Sequence, residues 1–181
     1  MTEPIPHWPG RLVSVSDHGA GDHEVFVRSA PVPETDAEPA LFVHGLEGSS
    51  RNWTDLIDLL RSRLACEAMD LPGFGDSPPR PDGRYSIAAL AQSVTALIQQ
   101  QSEPVHLVGN SLGGAVCVKV AATRPDLIKT LTLISPALPD LRPRLDLVRF
   151  PVVGLPRLGP RLIRQYQSAL QRSNQPRAAQ R

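Results

Sequence analysis

The stretch "HLVGNSLGG", residues 106–114, sets Ser111 between Gly109 and Gly113 in a G-x-S-x-G pattern. An apolar strand-like run precedes it and a helix-like run follows. In that context the pattern describes a sharp strand-to-helix turn with a serine hydroxyl at its tip, the placement of a nucleophile. The glycines have a steric reason. Strand and helix approach each other across such a turn, so the positions two residues away must lack side chains. A helix starting there offers free N–H groups and a positive dipole end, which favour an oxyanion beside Ser111. The Leu112 N–H is the first expected donor, and the Leu46 N–H of "HGLEG", residues 44–48, is the second.

A serine nucleophile needs a proton acceptor. The five histidines, His7, His18, His23, His44 and His106, all precede Ser111. His106 lies on the strand leading to Ser111, at a separation of about 16 Å for extended chain, too far for direct proton transfer. His44 is closer, at the end of a neighbouring strand, but a base also needs hydrogen-bond reach and an orienting partner.

The elements that must position these residues are legible as pattern. "RLVSVSDHGAGDHEVFVRSA" alternates apolar and polar residues on both sides of a Gly-containing turn, which predicts an antiparallel hairpin. "ALFVHG" is a continuous apolar run, as for a strand buried on both faces. Thereafter "NWTDLIDLLRSRL", "ACEAMD", "YSIAALAQSVTALIQQQ", "PVHLVG", "LGGAVCVKVAATRP" and "LIKTLTLIS" alternate helix and strand. That order predicts an open, mostly parallel α/β sheet with helices on both faces and the hairpin at one edge. Ligands on such sheets bind outside the carboxyl ends of the strands, where "HGLEGSS", "DLPGFGDS" and "GNSLGG" are all expected to converge.

A chain of 181 residues suits one domain with a real core. Its net charge of +1 hides an asymmetry: residues 1–136 hold ten Lys/Arg against sixteen Asp/Glu, whereas residues 137–181 hold nine Arg against Asp140 and Asp146. The acidic, Pro-broken start "MTEPIPHWPGR" is unlike a secretory leader, and no apolar run is long enough to span a bilayer. Cys66 and Cys117 lie within apolar runs and read as buried small hydrophobes of a cytoplasmic chain. The histidines lack metal-ligand spacing and no loop cradles phosphate, so no metal or cofactor is expected. Nucleic acid is not expected as a partner.

"FVHGLEGSSRNW", "DLPGFGDS" and "VHLVGNSLGGAV", in this order and spacing, resemble the amino-terminal part of the α/β-hydrolase fold family, over residues 11–136. The similarity is to the branch containing esterases, carbon–carbon bond hydrolases, perhydrolases and epoxide hydrolases. It implies that Ser111 is the nucleophile, that Leu46 and Leu112 are the oxyanion-hole positions, and that His44 orients the oxyanion loop. A serine where dehalogenases and epoxide hydrolases of this fold carry aspartate implies acyl chemistry on an ester, thioester, amide or ketone carbonyl. By the same resemblance Asp70 shapes a loop, and Asp140 is a weak candidate for the acid, several residues beyond Ser135 and Pro136, which hold the first places after the sixth strand. Asp76 reads as a turn residue.

The resemblance further implies two more strands, with an acid and a histidine following Ser111, that have no counterpart here. Residues 1–136 are expected to form the core, 137–170 the start of a helical cap, and 171–181 a disordered tail. The expectation is a fragment or frame-shifted product of a longer serine hydrolase acting on a small-molecule ester, inactive or very weak as given, with an exposed sheet edge prone to self-association. The alternative is a non-catalytic protein that binds a small ligand or a protein partner.

Overall fold

The computed structural model describes residues 8–31 and 36–138. The segments expected to form a cap and a tail lie outside these residues, apart from Ala137 and Leu138, and so does Asp140. Six strands form one sheet: β1 (Gly10–Asp17), β2 (Gly21–Ser29), β3 (Glu38–Val43), β4 (Leu64–Met69), β5 (Val105–Asn110) and β6 (Ile128–Ile134). Their order is β1-β2-β4-β3-β5-β6. The β1–β2 hairpin joins β4 antiparallel through Val27–Ser29, and β4, β3, β5 and β6 run parallel. This is the open, mostly parallel sheet with an edge hairpin that the apolar pattern predicts.

Alternation along the central strands explains why both faces are covered. Leu41 and Val43 of β3, Met69 of β4 and Leu107 of β5 pack into one apolar cluster, with helices α2 (Ile87–Ile98) and α3 (Leu112–Thr123) supplying Leu90, Val94, Leu97, Val116 and Val120. The intervening Ala40, Phe42, Cys66 and Ala68 face a second cluster with Trp8, Trp53 and Ile57 of α1 (Thr54–Leu60). A period of two places successive side chains on opposite faces, so one apolar run serves both clusters. Phe42 and Trp53 meet with ring centroids 5.4 Å apart. Both cysteines are free and buried, as expected.

The helices begin where local chemistry permits. Ser86 caps α2 by accepting from the Ala89 N–H at 3.2 Å, satisfying one of the donors that a helix start leaves open. Ser49 and Asn52 form a reciprocal capping box at the short 3-10 turn, Ser50–Trp53, that leads into α1. Ser111, before α3, makes no side-chain cap. β6 differs from the inner strands: Leu131 and Ile134 are exposed, and among the described residues it pairs on one side alone.

Candidate active site

Three loops leave the carboxyl ends of β3, β4 and β5, and short contacts tie them together. The first, residues 44–49, turns through a Gly48 N–H to Gly45 carbonyl bond of 3.0 Å and carries Leu46, which is well exposed. The second, residues 70–77, is organised around buried Asp70. One oxygen of that carboxylate accepts from the Ser50 N–H, and the other accepts from the Asp76 N–H at 2.7 Å. Gly75, at φ +55°, packs so closely on the carboxylate that a side chain there would collide with it. Asp70 therefore shapes a loop, in keeping with its expected role.

His44 is buried with both ring nitrogens committed. The Leu71 N–H donates to Nε2 at 2.9 Å, so Nε2 is the acceptor, and the proton sits on Nδ1, which donates to the Gly45 carbonyl at 2.7 Å. Burial pushes the His44 pKa down, against smaller upward contributions from the Gly45 carbonyl and the Asp70 charge. A neutral imidazole so engaged holds the first loop against the second and has no lone pair for a substrate proton.

Ser111 stands at the third loop with φ +49° and ψ −115°, outside the regions that L residues ordinarily occupy. Such backbone costs about 1–3 kcal/mol and persists only where its surroundings over-determine it. Here they do. The Ser111 N–H donates to the Ile134 carbonyl at 3.0 Å, and its own carbonyl accepts from the N–H groups of Ala115 at 3.1 Å and Ala137 at 2.9 Å. Glycines supply the room. A Cβ on Gly113 would strike the carbonyl oxygens of Val43 and His44, and one on Gly109 would lie 2.6 Å from both Cys117 Sγ and the Gly113 oxygen.

The first loop reaches the turn itself, since a Cβ built on Gly45 would lie 3.2 Å from Ser111 Cβ. The structure thus brings the loop of Leu46, the start of α3 at Leu112, and Ser111 into one neighbourhood. The first N–H groups of a helix have no partner within it, which leaves those of α3 directed toward this space.

The remaining described histidines are elsewhere. His106 bridges Thr130 and Glu38, at 2.7 and 2.8 Å, near the start of β5. His23 bonds Ser93 and the Gly21 carbonyl on the edge hairpin, and His18 lies in the hairpin turn. Sequence reasoning missed the hold of residues 134–137 on Ser111. The only trace of it in the sequence is the small, Pro-containing run "SPA" after the sixth strand. No group of three or more potential metal ligands occurs among the described residues, and no described helix is long and apolar enough to cross a membrane.

Comparison with known proteins agrees with this layout. A family model described as alpha/beta hydrolase fold matches residues 39–171. The chain is 37% identical over 101 residues to the dihydrolipoyllysine-residue acetyltransferase component of the acetoin cleaving system of Cupriavidus necator, covering 55% of this chain and 27% of that protein. It is 34% identical over 95 residues to the pimeloyl-(acyl-carrier protein) methyl ester esterase of Aeromonas hydrophila, covering 52% of this chain and 36% of the esterase. The chain thus spans about a third, or less, of the length of these relatives. A thermophilic esterase from Thermogutta terrifontis has the same fold, with a TM-score of 0.63 at 24% identity over 70% of this chain and 46% of that one.

Proposed function

The chain belongs to the α/β hydrolase fold family, and from that premise we propose that Ser111 is the nucleophile of acyl chemistry on a small-molecule carboxylic ester or related carbonyl. The observation that carries this reading is the strained, doubly anchored backbone of Ser111, placed beside the loop of Leu46 and ahead of α3. Strain of this kind is stored where it serves a site.

In the proposed reaction Ser111 Oγ adds to the carbonyl carbon and gives up its proton. The oxyanion that forms is held by the Leu46 and Leu112 N–H groups, preorganised donors in the way an oxyanion hole requires. The tetrahedral adduct collapses as its bond to the leaving oxygen breaks. The alkoxide takes up from solvent the proton that Ser111 released there and departs as the alcohol, and water hydrolyses the acyl ester left on Ser111. Transfer to an acceptor other than water uses the same residues.

Proton transfer is the weak step. His44 is committed to Gly45 and Leu71, His23 and His106 are bonded elsewhere, and His18 lies on the edge hairpin. With no described histidine placed to take the Ser111 proton, turnover is expected to be very slow, since removal of the triad histidine alone costs about a millionfold in a serine protease.

A fluorophosphonate probe followed by intact-mass measurement tests the reading. Slow formation of one adduct, mapped to Ser111 and lost in Ser111→Ala, is the expected result. Folded protein that stays unlabelled at millimolar probe would sink it and favour the non-catalytic, ligand-binding alternative.

A further inference from the structure

In the G-x-S-x-G pattern Asn110 occupies a free position, yet its side chain makes a specific contact. Asn110 Nδ2 donates to the Ile134 carbonyl at 3.1 Å, the same oxygen that accepts the Ser111 N–H at 3.0 Å. One carbonyl oxygen has two lone pairs, and here both are taken by adjacent residues of the turn.

This bond also fixes which way the amide lies. A carbonyl can only accept, so the amide nitrogen faces β6 and Oδ1 is the atom turned toward the loop after β3. Consistent with that, a Cβ built on Gly45 would lie 2.9 Å from Asn110 Oδ1. The carboxamide therefore spans the gap between the last carbonyl of β6 and the loop that carries Leu46.

We propose that Asn110 is a positioning residue, whose carboxamide holds the backbone of Ser111 in its strained form by tying the ends of β5 and β6 together against the Gly45 loop. The functional consequence rests on Ser111 being the nucleophile; the hold on its backbone does not. No other side chain of similar size does the same. Leucine fills the space without a donor, and aspartate sets an oxygen against the Ile134 carbonyl.

Residue-resolved amide exchange by NMR, with fluorophosphonate labelling of the 181-residue chain, separates this role from a general contribution to stability. In Asn110→Leu the Ser111 amide should exchange about ten-fold faster, the worth of one hydrogen bond, while the Leu107 and Val43 amides shift less than about two-fold. If that variant does not fold, Asn110→Asp repeats the measurement. In parallel the saturating labelling rate kinact should fall about ten-fold with KI within about two-fold. An unchanged Ser111 amide, or an equal rise at Ser111, Leu107 and Val43, overturns the proposal, as does selective exchange with unchanged kinact in a labelled protein. A wild-type chain that takes no label overturns the nucleophile reading instead, and the exchange data then decide the hold on Ser111 alone.

Discussion

The backbone N–H of Leu71 donates to Nε2 of His44 at 2.9 Å, and this one bond removes the imidazole at the head of the Gly45 loop from acid–base work. With Nδ1 donating to Gly45, His44 is a strut between two loops. Burial holds its pKa below the usual histidine value, so the folded chain refuses a proton that the unfolded chain accepts below pH of about 6.5. Stability should accordingly fall as pH drops through that value. By NMR the His44 ring signals should titrate at a lower pH than those of an ordinary histidine. His44→Ala should cost about 2–4 kcal/mol in urea unfolding, from the orphaned Leu71 N–H and the cavity left behind. A His44 that titrates at or above the ordinary histidine value, or a labelling rate that follows its protonation, would contradict the strut.

The three elbow glycines should not respond alike to alanine. Gly113→Ala gains up to about 1 kcal/mol of helix propensity, but its Cβ meets the Val43 and His44 carbonyl oxygens, backbone of a central strand that cannot give way. A net loss of about 2–3 kcal/mol is expected from overpacking. Gly109→Ala meets the Gly113 oxygen and Cys117 Sγ and should lose a similar amount. In Gly114→Ala the Cβ lies 2.8 Å from Pro136 Cβ and 3.0 Å from its Cα, a rigid ring between the anchored Ile134 and Ala137, so a smaller loss of about 1–2 kcal/mol is expected from the longer contact. Urea midpoints at constant m-value give the ranking.

These glycines also show what a sequence can reveal. Gly109 and Gly113 are legible because a position that must lack a side chain leaves a residue type behind, and β3 and β5 are legible because burial on both faces makes an unbroken apolar run. Ser111 is legible for both reasons together. Its anchoring is not. The bonds from Ile134 and Ala137 are made by backbone atoms, which every residue carries, and they join segments that only the folded sheet brings together. Asn110 is hidden differently, since an asparagine in a turn is ordinary and its partner lies 24 residues away.

A second long-range tie of this sort is Asp17 with Arg80, whose Nη1 lies 2.7 Å from Asp17 Oδ2 with both side chains buried. Arg80 Nη1 also donates to Ser93 Oγ at 2.6 Å and to the Ala89 carbonyl at 2.9 Å, joining the edge hairpin to α2. Burial alone would raise the Asp17 pKa, but Arg80 and the Ala20 and Gly19 N–H groups outweigh it and hold the carboxyl below its ordinary value. A depressed carboxylate stabilises the fold above its unfolded pKa of about 3.9 and ceases to as pH falls through the folded value. Asp17→Ala leaves the buried guanidinium paired with Asp82 alone, whose Oδ2 lies 3.0 Å from Nη2, and should cost about 1.5–3 kcal/mol at pH 7, the worth of a hydrogen bond to a charged group. The difference between variant and wild type should shrink below about pH 4 in acid-unfolding curves. An equal difference at pH 3 and pH 7 would mean that packing, not charge, accounts for the loss.

β6 concentrates the remaining risk. Leu131 and Ile134 are exposed on it, Lys129 is its only charge, and among the described residues its outer edge pairs with nothing. An unpaired edge of β-branched and apolar residues is a template for another chain, and β-proteins ordinarily blunt such edges with charge. The 181-residue chain should therefore associate with rising concentration, seen as an increasing weight-average mass in sedimentation equilibrium. Leu131→Lys adds a charge at a position 37% exposed and should cost less than about 1 kcal/mol of stability. It should restore the monomer mass over the same range. Wild-type protein that stays monomeric throughout would show that this edge is covered in solution, and the lysine should then change nothing.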